Sequence, residues 1–267
     1  VLIDAHCHVW RIGENDCRWP GRDLAVIHRD FGLDDLRAAG GPDGVVLVQS
    51  QPSARDTAWL LEVAESDPLV LGVVGWADLA APDAVEAILA LAGNARLKGL
   101  RPMLQDLEDD WILSPAVAPA IAAIVEAGLA FDALVRPRHL PALLTLVRRW
   151  QDLRVVIDHG GKPTIGEGVM HPWRDDIAAL AAEPGVFCKL SGLLTEAGDT
   201  PTAQALAPYV AHLLEAFGAE RLMWGGDWPV LNLAGDYAGW RRMCEAWVPP
   251  DRRAALFGET ARRFYRL

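Results

Sequence analysis

Val1-Leu2-Ile3-Asp4-Ala5-His6-Cys7-His8 opens the chain as a short apolar run that breaks into two histidines. A parallel strand covered on both faces reads this way, as a near-continuous apolar segment. The end of this run separates two architectures. An open doubly wound sheet usually places its ligand on a glycine-rich turn after the first strand. Here the first run, Val1–His6, leads into Cys7-His8 with no GxGxxG behind it. Seven more such runs occur at Gly44–Ser50, Val70–Ala77, Leu97–Met103, Leu129–Val135, Arg154–His159, Val186–Ser191 and Arg221–Gly226. Helical spacing predicts helices at Ala54–Ser66, Asp83–Ala92, Pro115–Ala127, Leu140–Trp150, Trp173–Ala182, Thr202–Phe217 and Asp251–Tyr265. Asp83 and Glu86 read as an N-terminal capping signal, and Val85, Ile88, Leu89 and Ala92 as a core-facing stripe. Eight strands alternating with helices, undivided by a linker or repeat, predict a single (β/α)8 TIM barrel over residues 1–267.

Composition narrows the function classes. With 51% hydrophobic and 23% charged residues the chain is globular, and 25 Lys+Arg against 36 Asp+Glu give a net charge of -11. Such a surface repels phosphate backbones and anionic lipid, so neither a nucleic-acid nor a membrane partner is expected. The four cysteines, Cys7, Cys17, Cys188 and Cys244, show no CxxC pairing and read as reduced thiols. No stretch is long and apolar enough for a membrane span, and Val1-Leu2-Ile3-Asp4 shows no signal-peptide pattern, so a cytoplasmic location is expected.

A parallel barrel gathers its functional groups at the C-terminal ends of its strands. There the chain offers His6 and His8 after strand one, Gln51 after strand two, Trp76 after strand three and Arg101 after strand four. His159 comes after strand six and Asp227 after strand eight. Two residues apart on an extended strand, His6 and His8 project to one side and can reach one metal ion or one substrate oxygen. As a bland alternative they are hydrogen-bonded core histidines, and Asp227 a helix cap or an arginine partner. Asp227 stands among aromatic and small residues in Trp224-Gly225-Gly226-Asp227-Trp228-Pro229, a setting that shifts carboxyl chemistry. Gly160-Gly161 after His159 permits close backbone approach to a ligand.

Five segments carry a family resemblance: Ile3-Asp4-Ala5-His6-Cys7-His8-Val9-Trp10, Lys98-Gly99-Leu100-Arg101, Val156-Ile157-Asp158-His159-Gly160-Gly161-Lys162-Pro163, Cys188-Lys189-Leu190-Ser191-Gly192-Leu193 and Arg221-Leu222-Met223-Trp224-Gly225-Gly226-Asp227-Trp228-Pro229-Val230. Together they resemble the amidohydrolase superfamily, and within it the sugar-acid lactonases of the L-fuconolactonase and L-rhamnonolactonase kind. The resemblance implies a (β/α)8 fold and hydrolysis of a cyclic ester to an aldonic acid. Asp227 is then the candidate general base, and His6, His8 and His159 the groups that polarise the carbonyl. Many superfamily members add a His or Lys metal ligand from strand four or five, where this chain offers Arg101, Pro102, Val135 and Arg136. Arginine stays protonated and is no ligand. The metal set is therefore at most His6, His8 and Asp227, with His159 in addition, and one zinc-like divalent ion and a metal-free site both stand open.

Arg101, Gln51, Trp76 and Trp10 are the expected substrate contacts, through an arginine fork, an amide and stacking faces. Structural ion pairing and core packing are their alternatives. Asp106-Leu107-Glu108-Asp109-Asp110-Trp111 reads first as a solvated acidic surface and second as a loop over the site, while Lys162 and Lys189 are weak candidates for the mouth. His28, His139, His171 and His212 are assigned no function. A lactone isomerase, a metal-dependent decarboxylase and a sugar-acid-binding protein on a retired barrel are the competing readings. Spacing leaves ring size, stereochemistry and the choice of monomer or homodimer open.

Overall fold

The computed structural model describes residues 1–199 and 201–267. Eight parallel strands stand in sequential order: β1 Ile3–Cys7, β2 Gly44–Val48, β3 Val70–Gly75, β4 Leu97–Leu100, β5 Ala130–Ala133, β6 Arg154–Ile157, β7 Val186–Leu190 and β8 Leu222–Trp224. Helices α1 Leu33–Ala38, α2 Ala54–Ser66, α3 Ala84–Ala92, α4 Ala118–Glu126, α5 Leu140–Arg149, α6 Trp173–Ala181, α7 Ala203–Arg221, α8 Tyr237–Trp247 and α9 Thr260–Tyr265 complete the TIM barrel. From β2 to β8 the expected strands overrun the observed ones at their C-terminal ends, where residues such as Trp76 and Arg101 face the barrel mouth, while β1 ends one residue beyond the expected His6.

Between β8 and β1 the ring is closed by few bonds. Cys7 and Trp228 form an isolated parallel bridge, His8 N–H donates to the Trp228 carbonyl at 2.7 Å, and Asp227 N–H to the His6 carbonyl at 2.8 Å. The buried Asp4 carboxylate adds a clamp, accepting from Gly226 N–H (2.8 Å), the Tyr237 hydroxyl of α8 (3.0 Å) and His6 N–H (3.0 Å). Ile3, Ala5, Val46, Ala130, Val156 and Met223 pack inside the lower barrel, and Phe264 and Tyr265 of α9 plug its base. A larger apolar layer lies between strands and helices.

Several local expectations are corrected. Helices α1 and α8 are additional to the expected set. The segment expected as one helix over Asp251–Tyr265 is a 3₁₀ turn at Pro250–Arg252, a π turn at Ala255–Glu259 and then α9. α7 runs beyond Phe217, turning at Gly218, whose φ of 63° suits a residue without Cβ. Asp83 makes no side-chain capping bond, and of the α3 stripe Ile88 is buried while Val85 and Leu89 are exposed. All four cysteines are free and buried. Among the described residues no helix is long and apolar enough to cross a membrane.

Candidate active site

One cavity of about 720 Å³ opens at the C-terminal ends of the strands, and His8, His159, Asp227, Arg101, Trp76 and Gln51 all border it. His6 stands immediately behind them, fully buried. β1 positions both histidines by an irregularity. Pairing with β2 shifts register between Asp4 and Cys7. Ala5 points into the lower barrel, yet His6 next to it also reaches interior groups, Lys189 and Asp158. Such a bulge re-aims a side chain where simple alternation would turn it outward.

His159 and Asp227 are placed by backbone of another kind. Both take left-handed conformations, with φ of 54° and 52°, each costing on the order of 1–3 kcal/mol in a non-glycine residue. Neighbouring structure holds them there. The His159 ring lies against Gly192, where a Cβ would come within 2.4 Å of Nδ1, and that nitrogen is 2.9 Å from the Ser191 hydroxyl.

The four groups converge. Asp227 Oδ1 lies 3.3 Å from His8 Nε2, 3.7 Å from His6 Nε2 and 3.9 Å from His159 Nε2, and the two Nε2 atoms of the His-x-His pair are 3.2 Å apart. Burial pushes the Asp227 carboxyl up, but His159, His8 and Lys162 facing it more than offset this and hold it below the ordinary carboxylate range. Burial, then the Lys189 charge, push His6 well below the usual imidazole range, and burial does the same to His159. At neutral pH the site therefore holds the Asp227 carboxylate beside neutral His6 and His159 rings.

The same geometry fits a metal ion. Ligands about 2.1 Å from a tetrahedral ion stand roughly 3.4 Å from one another, close to the separations above. His6, His159 and Asp227 each offer an atom within 4.8 Å of the others. His8 Nδ1 is 2.8 Å from the Val48 carbonyl, which can only accept, so a neutral His8 turns its Nε2 lone pair toward the site.

The remaining expected contacts divide. Arg101 borders the cavity, anchored on the Gln49 carbonyl and 3.6 Å from Asp158. Trp76 forms part of the wall. Gln51 also borders it, but its amide is committed to the first loop, with Nε2 donating to the Trp19 carbonyl at 2.7 Å and Oε1 accepting from Arg18 N–H at 3.2 Å. Trp10 does not reach the cavity. Its backbone pairs with Phe31 and its indole N–H donates to the Arg29 carbonyl at 2.8 Å, which turns the ring into the core at 0% exposure. Trp19, 38% exposed, supplies the aromatic face at the mouth and packs edge-on to Trp10 at 5.5 Å.

Gln105, Asp106, Leu107 and Trp111 also line the cavity, so the segment after β4 is a wall of the site as well as an acidic surface. Arg138 and His139 hold it through the Gln105 and Leu107 carbonyls. Lys162 borders the mouth, paired with Glu196 at 3.4 Å. Lys189 lies beneath the site, among Asp132, Asp158 and His6. Trp19, Asp132 and the inward path of Lys189 are not visible from strand ends. For Asp132 and Lys189 a signal existed: each is a charge inside a strand covered on both faces, where a charge needs a buried partner.

A parallel barrel with a His-x-His pair at the end of its first strand, a histidine after its sixth and an aspartate after its eighth defines a hydrolase-type site, in which a carboxylate faces imidazoles across one cavity. The chain belongs to the amidohydrolase family, whose sequence profile matches residues 3–267. It is 49% identical over 276 residues to an L-fucono-1,5-lactonase of Burkholderia ambifaria, covering 99% of this chain and 95% of that protein. An L-fucono-1,5-lactonase of Burkholderia multivorans is 35% identical over 286 residues, covering 100% and 96%. Among solved structures, an amidohydrolase from Burkholderia multivorans with bound zinc superposes with a TM-score of 0.93 at 35% identity, over 100% of this chain and 99% of that one.

Proposed function

We propose that the chain is a lactonase that opens a sugar-acid lactone of the L-fucono-1,5-lactone or L-rhamnonolactone type to the aldonic acid. One observation carries the reading: Asp227, held as a carboxylate, faces His6, His8 and His159 at a single cavity. The named activity of the 49% identical relative supports it.

Asp227 takes a proton from a water molecule as that oxygen bonds to the lactone carbonyl carbon. His159 and the Arg101 guanidinium stabilise the negative charge gathering on the carbonyl oxygen. The carbon to ring-oxygen bond then breaks, and Asp227 returns the proton to the departing ring oxygen. The products are one carboxylic acid and one hydroxyl. A divalent ion held by His6, His8 and Asp227, with His159 in reach, would supply Lewis-acid polarisation of that carbonyl. Trp19 and Trp76 offer faces for the apolar side of a sugar ring.

A pH-indicator assay over L- and D-aldonolactones and one dicarboxylate lactone, with and without a strong chelator, tests the proposal. Turnover confined to deoxy-L-sugar lactones is expected, and the chelator arm assigns the metal's part. No turnover on any lactone, with zinc restored, would overturn it in favour of an isomerase or a binding protein.

A further inference from the structure

Lys189 is fully buried, and its ammonium reaches three groups: Asp132 Oδ2 at 2.6 Å, Asp158 Oδ1 at 3.0 Å and His6 Nδ1 at 3.1 Å. An ammonium has three donors and no acceptor, so at His6 it requires a bare Nδ1. A neutral imidazole then carries its proton on Nε2, and that atom points at His8 Nε2, 3.2 Å away. A neutral His8 takes the complementary form, since its Nδ1 must donate to the Val48 carbonyl. The three contacts form one directed series, from Lys189 to His6, from His6 to His8 and from His8 to the β2 backbone.

The opposite tautomer of His6 has partners too, at longer range. Its Nδ1–H would face Asp158 Oδ1 at 3.4 Å and its bare Nε2 the Arg101 guanidinium at 3.4 Å. It would also set two bare nitrogens 3.2 Å apart, an arrangement that is repulsive until a cation sits between them. That is the arrangement a metal ion needs. Both Asp158 carboxylate oxygens are buried without a well-aligned hydrogen bond, so an acceptor for Nδ1–H is already in place.

We propose that Lys189 is a positioning residue that keeps the His6 proton on Nε2 and thereby sets the metal affinity of the His6–His8 pair. Metal capture requires the proton to leave Nε2 and a proton to arrive on Nδ1, with Asp158 as its acceptor. The exchange leaves the ring neutral and needs no other reactant. The competition between Lys189 and Asp158 for one nitrogen thus decides whether the pair presents a hydrogen-bond donor or a second ligand.

Long-range proton–nitrogen correlation spectra of metal-free protein labelled at histidine nitrogens read the tautomer directly, with His6→Gln identifying the His6 signals. A proton on Nε2 and a bare Nδ1 are expected in the wild type, and a proton on Nδ1 would overturn the proposal. Calorimetric zinc titration of Lys189→Met combined with Asp132→Asn reads the affinity. This pair removes one charge of each sign, and Asp158 keeps the Arg101 guanidinium at 3.6 Å. Zinc should bind the folded double variant about 10–100-fold more tightly, the span usual for changes in groups behind metal ligands. Its His6 proton should lie on Nδ1. Equal or weaker zinc affinity would overturn the proposal. If circular dichroism shows the variant unfolded, the wild-type spectrum alone decides. Neither readout depends on which lactone is opened.

Discussion

Trp10 and Trp19 pack edge to face, yet of the two only Trp19 borders the cavity, and the difference is measurable. Trp10→Ala removes a fully buried indole and should lower stability by about 3–5 kcal/mol, read by urea unfolding, with KM little changed in the folded fraction. Trp19→Ala should raise KM by several-fold up to about tenfold, the range of about 0.5–1.5 kcal/mol for an aromatic contact, at unchanged stability. An equal KM effect from both would remove the distinction. The sequence could not separate them. Strand parity carried from His6 and His8 points Trp10 at the site, and only the Trp10–Phe31 bridge, a contact across an irregular loop, turns it away. Asp227, His8 and His159 were legible because a barrel collects residues at strand ends whatever the loops do. The same site fixes a pH dependence. Asp227 works as the anion and is held below the ordinary carboxylate range, while burial keeps His6 and His159 neutral. The acid limb of kcat/KM should therefore lie below that range, and a limb near the ordinary histidine value of ~6.5 would contradict it.

At the scale of elements, the join between β8 and β1 depends on Asp4. Burial lifts its carboxyl to about 7, although the Gly226 and His6 N–H groups and the Tyr237 hydroxyl pull it down. A carboxyl raised on folding holds its proton more tightly than the unfolded chain does. Its contribution to stability is full at pH below the ordinary value of 3.8 and lost as pH rises through about 7. The loss is on the order of 4 kcal/mol. Unfolding free energies of wild type minus Asp4→Asn should fall across that window, and a difference that is flat or rises with pH would contradict the assignment. Elements were legible where apolar period was strong, as in β2, β6 and α4. α8 was not, because its buried Tyr237, Trp240 and Cys244 are set among Arg241, Arg242 and Glu245 and dilute the apolar signal. The α3 stripe failed in the other direction, since Val85 and Leu89 are apolar residues left in solvent.

At the scale of the whole molecule, eight apolar runs in one chain direction with helices between them sufficed to specify the barrel, since each parallel strand needs a crossover and both faces covered. Pattern could not supply the cluster beneath the site. Lys189 on β7, Asp132 on β5 and Asp158 just after β6 meet only once the ring is closed. Above that cluster Asp227 is assigned the water, and its removal is the direct test. Hydrolysis of L-fucono-1,5-lactone, monitored by pH indicator and corrected for the uncatalysed reaction, should be rapid with wild type and roughly 10²–10⁴-fold slower with Asp227→Asn. Near-normal turnover by folded Asp227→Asn would contradict the assignment of Asp227 as the base that activates water.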